Sequence, residues 1–297
     1  MALAMSAHIK RKESPGQALE RVCQNHVDQA LANLQKAHVP DAVHDVRKEI
    51  KKLRAIFRLA REALGHKEYR KAANVLRLAA KPLAVSRDAR VVQKAFENLV
   101  KSRARQFPIT RTNLQTHSSR AERSFVDSDF GAVAKYILKK VGRQLEDLGL
   151  KRIGWREIRV SLEKSYQRGR DAFQRAMQAP SPEHFHAWRK QAKEFWYQLE
   201  FLCPDWPPQT KAMLDGLEKL GEELGDDHDL VLLADFTKKQ HEPGAETTKL
   251  QKLIVAQRKR HGASIRRLGA RLYAKLPAAV CARVEKDWKA WRELQDH

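Results

Sequence analysis

Residues 42–60 have the sequence AVHDVRKEIKKLRAIFRLA, and this stretch decides the fold class. Its apolar residues, from Val43 to Phe57, recur at intervals of three and four, as on the buried face of a bundle helix. One residue along a helix corresponds to a rotation of about 100°, and the residues that follow the apolar ones by one position are mostly basic. We therefore predict a helix with a basic stripe beside its buried seam, which contains His44, Arg47, Lys48, Lys51, Lys52, Arg54 and Arg58.

The pattern occurs a second time, at residues 185–202, with the sequence FHAWRKQAKEFWYQLEFL. His44 recurs 142 positions later. In the second copy Trp196 and Glu200 stand where the first copy has Arg54 and Arg58, so the second stripe is shorter. Its basic residues are His186, Arg189, Lys190 and Lys193.

A single run of cations usually marks a solvated helix face. Here the cations are three and four residues apart, where like charges repel by about 0.2–0.5 kcal/mol per pair. Alternating signs would have kept the surface soluble without that cost. Since the pattern also occurs twice with its histidine in register, we interpret it as two equivalent surfaces for one kind of anion. Metal binding is a weaker interpretation, because neither copy supplies further ligands.

The composition indicates a polyanionic partner. Lys and Arg total 58 against 36 Asp and Glu, which gives the 297 residues a formal charge of +22. Nucleic acid, an acidic membrane surface and phosphate-rich polymers all satisfy that charge. The three cysteines, Cys23, Cys203 and Cys281, form no CxxC pair, and this is typical of a reducing compartment. With no signal peptide and no apolar run of about 20 residues, a cytoplasmic protein is expected.

Helix-forming residues dominate the chain, and glycine and proline are scarce, so an all-α fold is predicted. The first helix is expected from about Pro15 to Ala37, with Ser14 as its N-cap. The second is expected from about 41 to 64, where Gly65 stops it.

Later in the chain, residues 106–129 are rich in Ser and Thr and are predicted to form a linker or at most a short helix. Residues 210–224 and 227–239 are predicted as two separate helices. The domain prediction is a basic N-terminal tail (1–14) and two helical halves, 15–127 and 128–297.

Four segments resemble the CHAD family (conserved histidine α-helical domain). They are AVHDVRKEIKKLRA at 42–55, YQRGRDAF at 166–173, FHAWRKQAKEFWYQLEFL at 185–202 and LGDDHDLVLL at 224–233. The resemblance implies two pseudo-symmetric four-helix bundles from an internal duplication. It also implies a basic groove or pore that binds inorganic polyphosphate, without catalysis and without a cofactor.

By the same resemblance, both stripes would line the groove, and further residues would join them. Lysine at 51, 52 and 193 replaces the arginine of the family pattern, which turns forked contacts into point-charge contacts. Arg87 and His228 fall at matching places in the two halves, as do Asp88 and Asp229. The added lining residues are Arg87, Tyr166, Arg168, Arg170 and His228.

Other functions remain open from the sequence. A polyphosphate-processing enzyme would need paired carboxylates with a metal or a phosphorylated histidine, and no P-loop or HExxH motif is present. Nucleic-acid binding suits the charge, yet the aromatic residues lie on the apolar seams. A membrane-surface role is disfavoured, because those seams are what a bundle must bury. The acidic cluster of residues 222–229 is expected to lie on the surface or to pair with nearby cations, in preference to binding a metal. If the ligand is polyphosphate, polyphosphate granules are a second expected location.

The basic segment 251–271 either extends the cationic track or points to solvent. Oligomeric state and polymer length preference do not follow from the sequence.

Overall fold

Helices form the whole secondary structure of the described residues in a computed structural model, which describes residues 7–36, 42–80, 83, 85–126, 130–240 and 244–294. Short 3-10 helices follow α2, α4 and α6. The helices are α1 (Pro15–Gln35), α2 (Ala42–Phe57), α3 (Arg61–Ala80), α4 (Val85–Val100), α5 (Pro108–Val126), α6 (Phe130–Asp147), α7 (Trp155–Gln178), α8 (Pro182–Leu202), α9 (Pro208–Gln240), α10 (Ala245–Leu272) and α11 (Pro277–Glu293).

Local signals set the ends of the first helices. Ser14 Oγ accepts a hydrogen bond from the Gln17 backbone N–H at 3.2 Å, and the Gln17 side chain accepts one from the Ser14 N–H at 3.1 Å. This reciprocal pair is a capping box, so the predicted N-cap is confirmed. The helical backbone that starts in α2 runs through the 3-10 turn Arg58–Ala60 and breaks at Gly65, which has φ 72°. The predicted stop at Gly65 is therefore confirmed as well, because a left-handed residue ends helical hydrogen bonding.

Two rings of four helices build the fold. In the first, α1, α2, α3 and α6 pack in sequence, and in the second α7, α8, α9 and α11 do the same. A hydrophobic core continues from one ring into the other. The rings meet where α2 packs against α8. Outside them, α4 and α5 pair with each other, α4 lies on α9, and α10 runs along α9. None of the described helices is long and apolar enough to cross a membrane.

The packing does not follow the predicted boundary at 127/128. Although α6 comes after that boundary, its fully buried Ala134 and Leu138 belong to the core that Ala30 and Val46 form in the first ring. The α4–α5 pair comes before the boundary, yet Phe96 shares a core with Leu233 of α9. A hydrophobic face packs against the faces that lie beside it in the fold, whatever their order in the sequence. The first ring is therefore completed by α6, which follows the α4–α5 pair in the sequence. The internal duplication stays a prediction from sequence.

The linker prediction for residues 106–129 is wrong, because α5 is a 19-residue helix there. Phe107, Leu114 and Ala121 are buried at intervals of seven, so one side of the segment is apolar despite its Ser and Thr content. Its first turn is held by the carboxylate of Glu246 in α10, which accepts hydrogen bonds from the backbone N–H and the hydroxyl of Thr110 at 2.8 and 2.6 Å. An acidic side chain satisfies unpaired N–H groups at a helix start.

Residues 208–240 form one helix of 33 residues, so the predicted division of α9 near Gly225 is also wrong. A glycine inside a helix costs about 1 kcal/mol relative to alanine. At Gly225 the absence of a side chain leaves space for the Arg189 side chain of α8.

Candidate functional site

The helices that carry the two basic stripes, α2 and α8, pack against each other at the contact between the rings. We call them the α2 stripe (His44, Arg47, Lys48, Lys51, Lys52, Arg54 and Arg58) and the α8 stripe (His186, Arg189, Lys190 and Lys193). At the contact, the buried Gln198 amide of α8 donates to the Ala55 carbonyl oxygen of α2 at 2.9 Å. A side-chain bond to a helix carbonyl fixes how the two helices are set against each other.

The ring of Tyr197 is the meeting point of the stripes. Lys52 Nζ lies 5.9 Å from the ring centroid, and Lys193 Nζ also lies 5.9 Å from it. These are cation–π distances, and the two lysines come from different four-helix rings. Burial, with a smaller effect of the nearby Glu200 carboxylate, raises the pKa of Tyr197 to about 12. The ring is therefore a neutral apolar platform between two cations.

Two glycines of α9 position the α8 stripe. A Cβ atom on Gly221 would lie 2.8 Å from Lys193 Cε, and one on Gly225 would lie 3.0 Å from a terminal nitrogen of Arg189. Arg189 Nε also donates to the Gly221 carbonyl oxygen at 3.3 Å. The glycines thus leave room for two long cations to lie along α9. The sequence carried this signal, since glycines four residues apart match cations four residues apart, and the prediction missed it.

The histidine of the α8 stripe has a partner in α9. The rings of His186 and His228 stack with centroids 4.1 Å apart and planes 29° apart. Both histidines were predicted site residues, and the structure brings them together. Two stacked imidazoles repel when both are protonated, and an anion that accepts from both would relieve that repulsion. The side chain of Arg87, at the matching place in the first half, lies outside the described part of the chain.

Equivalent arginines of the two stripes make equivalent bonds. Arg47 donates to the Ala80 carbonyl oxygen at 3.1 Å, 33 residues further along the chain. Arg189 donates to that of Gly221, 32 residues further along. In each case a backbone carbonyl accepts from the guanidinium group and so fixes the direction of the side chain.

A carboxylate bridges the rings beside the stripes. Glu194 of α8 accepts from Arg168 of α7 at 2.8 Å and lies 3.0 Å from Arg58 Nε, at the end of the α2 stripe. Arg168 also donates to Ser165 Oγ at 2.8 Å. Arg58 and Arg168 were both predicted to bind a ligand, and in this structure one carboxylate balances both.

Comparisons with known proteins agree with this architecture. A family model described as the CHAD domain matches residues 21–238, which is more than half of the chain. The chain belongs to the CHAD family. The crystal structure of the CHAD domain from the plant Ricinus communis superposes with a TM-score of 0.61 at 17% identity, over 96% of each chain, and this likeness shows the CHAD fold. A search of curated proteins gives no match.

One predicted groove residue of this CHAD domain belongs to the core. Tyr166 is 1% exposed, and its hydroxyl donates to the carbonyl oxygens of Leu272 and Lys275 at 2.9 and 3.1 Å. Its ring packs on Phe195 and Tyr273. Tyr166 therefore ties the end of α10 into the second ring and presents nothing to a ligand. Arg170, predicted beside it, is half-buried.

The remaining predicted residues of the CHAD stripes differ in exposure. His44, Lys48, Arg54 and Lys190 are exposed, and Lys51 is half-buried. Burial, together with the charge of Arg189, lowers the pKa of Lys193, and the Glu222 and Glu218 carboxylates oppose that shift. The Lys193 ammonium also lies 4.4 Å from the Trp196 ring centroid.

Part of the acidic cluster of α9 pairs with α10, as the sequence analysis favoured. Asp227 accepts from Arg258 Nε at 2.8 Å, and Glu223 lies 2.9 Å from His261 Nδ1. Burial and the Glu223 carboxylate raise the pKa of Asp226. Within the described ranges, no group of three or more His, Cys, Asp or Glu residues is placed to hold a metal ion.

Proposed function

We propose that this CHAD domain binds inorganic polyphosphate, without hydrolysing it, along the track formed by the α2 and α8 stripes. The observation that carries the proposal is the meeting of Lys52 and Lys193 at one tyrosine ring. It supports the proposal that the stripes are two walls of one track. Polyphosphate carries roughly one negative charge per phosphate, and it needs only cations and N–H donors at intervals.

The dimensions of the stripes suit an extended polymer. The α2 stripe runs from His44 to Arg58, and at 1.5 Å per residue it covers about 21 Å of helix. Successive phosphates can therefore meet successive cations. Release of counterions should make binding fall with salt, with a log–log slope of about −0.7 for each neutralised phosphate, by analogy with single-stranded nucleic acid.

The aromatic residues beside the track argue against base recognition there. Trp188, Phe195 and Tyr197 are buried, and the Trp196 ring faces the Lys193 ammonium. Stacking of bases requires an accessible ring face. A ligand that consists of phosphates alone needs none, and polyphosphate is therefore preferred to single-stranded nucleic acid for this track.

A matched pair of variants tests the proposal. Arg47→Ala with Lys51→Ala removes two cations of the α2 stripe, and Lys238→Ala with Lys239→Ala removes two exposed cations at the end of α9. Because charge-assisted hydrogen bonds contribute about 1.5–3 kcal/mol each, the stripe variant should lose tenfold or more in polyphosphate affinity by titration. The control should lose only a few-fold. Equal losses would show that net charge alone binds the polymer.

Absence of catalysis is a separate part of the proposal. Incubation with polyphosphate and divalent cation should release no phosphate above the level of the stripe variant. Steady phosphate release by the wild type would show that the protein processes polyphosphate and does not only bind it. In cells that store polyphosphate, a labelled chain is expected to colocalise with the granules.

A further inference from the structure

Helix α10 divides its cations between two faces. On the inner face, Arg258 and His261 pair with Asp227 and Glu223 of α9, and Ser264 donates to Glu223 at 2.9 Å. These contacts fix which side of α10 lies against the protein. The opposite side of a 28-residue helix is thereby directed to solvent.

The outer face carries a symmetric cation cluster. Ala263 is exposed, and Lys259, Arg260, Arg266 and Arg267 lie four and three residues before it and three and four residues after it. Residues at these spacings surround one another on a helix surface. All four cations are exposed, and no acidic side chain of the described residues is paired with them. The face therefore has a small alanine floor with a cation pair on each side.

The outer face of α10 is separate from the α2–α8 track. Gly221 and Gly225 show which side of α9 meets α8, and Glu223 and Asp227 show that α10 lies on another side. By helix geometry, the exposed carboxylates of Glu218, Glu222 and Asp226 fall between those two sides. A polyanion that left the track toward α10 would have to cross them, so the two basic surfaces are suited to different ligands.

We propose that the outer face of α10 binds the phosphate backbones of double-stranded nucleic acid. Its cations point to both sides of the helix, as two backbones on either side of a groove require. A helix with side chains is about 10–12 Å across, and the major groove of B-DNA is about 12 Å wide. Ala263 lets the helix approach the floor of the groove closely. The segment 245–272 contains no Phe, Trp or Tyr for stacking, which disfavours single strands.

The test uses a duplex of about 20 base pairs, two helical turns, and fluorescence anisotropy at several salt concentrations. Arg260→Glu with Arg266→Glu alters both sides of the floor. Lys139→Glu with Lys140→Glu makes the same charge change on the exposed face of α6, in the first ring. The α10 variant should lose at least tenfold in duplex affinity, and its salt slope should become less negative by about 0.9 for each lost phosphate contact. The α6 control should lose less than threefold, and circular dichroism should be the same for both.

Cross-tests separate this inference from the proposed polyphosphate function. Duplex affinity should survive Arg47→Ala with Lys51→Ala, and polyphosphate affinity should survive the α10 variant. The inference is overturned by equal loss in the α10 and α6 variants, by loss of duplex binding in the stripe variant, or by tighter binding of a single strand than of the duplex. Failure of polyphosphate binding alone would leave it standing.

Discussion

The α2 stripe and the α8 stripe share a sequence pattern, yet the structure holds them differently. On α2, His44, Lys48 and Arg54 are exposed. On α8, Arg189 and Lys193 lie over two glycines of α9. An exposed cation can follow its ligand but loses rotamer freedom on binding, whereas a cation already held has lost that freedom on folding. The comparison indicates that the exposed residues of the first stripe supply more of the adaptable charge, and that Arg189 and Lys193 give the second stripe more fixed positions. Arg47 of the first stripe is also held by a backbone carbonyl, as Arg189 is.

The largest expected effect comes from filling the space under the α8 stripe. Gly221→Val would place side-chain carbons where Lys193 Cε now lies, 2.8 Å from a Cβ. Lys193 must then leave Tyr197 and Trp196, so we expect polyphosphate affinity to fall more than tenfold, with overpacking costing about 1–3 kcal/mol of stability. Titration and chemical unfolding measure the two effects.

Gly262→Ala is the control for Gly221→Val, because a Cβ there would meet only Arg266, at an ordinary 3.5 Å. It should leave polyphosphate affinity unchanged and stabilise the helix. If Gly221→Val bound as tightly as the wild type, the α8 stripe would not need fixed positions, and the contrast between the stripes would fail.

The next effect concerns pH, and it should distinguish the histidines of the two stripes. A bound anion favours imidazolium, so binding takes up protons and affinity should rise as pH falls from about 8 to 6, by up to about tenfold per unit for each proton. We therefore expect His186→Gln to flatten the pH profile of affinity more than His44→Gln, since His186 stacks on His228. Identical pH profiles of affinity for both variants would mean that the protons taken up on binding go to other groups.

The features predicted correctly depend on residues close together in sequence. The Ser14 cap, the break at Gly65 and the two stripes all follow from spacings within a few turns. The errors depend on distant partners. Tyr166 was placed in the groove by the family resemblance, and the hydroxyl partners that hold it in the core, Leu272 and Lys275, are 106 and 109 residues away. The division of α9 between 224 and 227 was predicted without the Arg189 side chain, which belongs to another helix and needs the space that Gly225 leaves.

Removal of the bridging Glu194 charge should have the smallest effect. It should lower the stability of the protein but raise its affinity for polyphosphate. Glu194 stands at the α8 position that corresponds to Lys52, and it balances Arg58 and Arg168. Glu194→Gln keeps the shape but removes the charge, so two guanidinium groups lose their counter-ion. We expect unfolding free energy to fall by about 1–3 kcal/mol, the usual cost of losing hydrogen bonds to charged groups. Polyphosphate affinity should rise about threefold, as exposed or half-buried charges contribute up to about 1 kcal/mol.

Glu200→Gln is the matched control for Glu194→Gln, because it removes the same charge about 1.7 turns further along α8, where no described arginine is ion-paired with it. It should raise affinity less and leave stability unchanged. A loss of affinity in Glu194→Gln would mean that the carboxylate aligns Arg58 and Arg168 for the ligand. In that case arginines from neighbouring helices would make up for the shorter α8 stripe. The two stripes would then bind the ligand with similar strength and would differ only in which helices supply their cations.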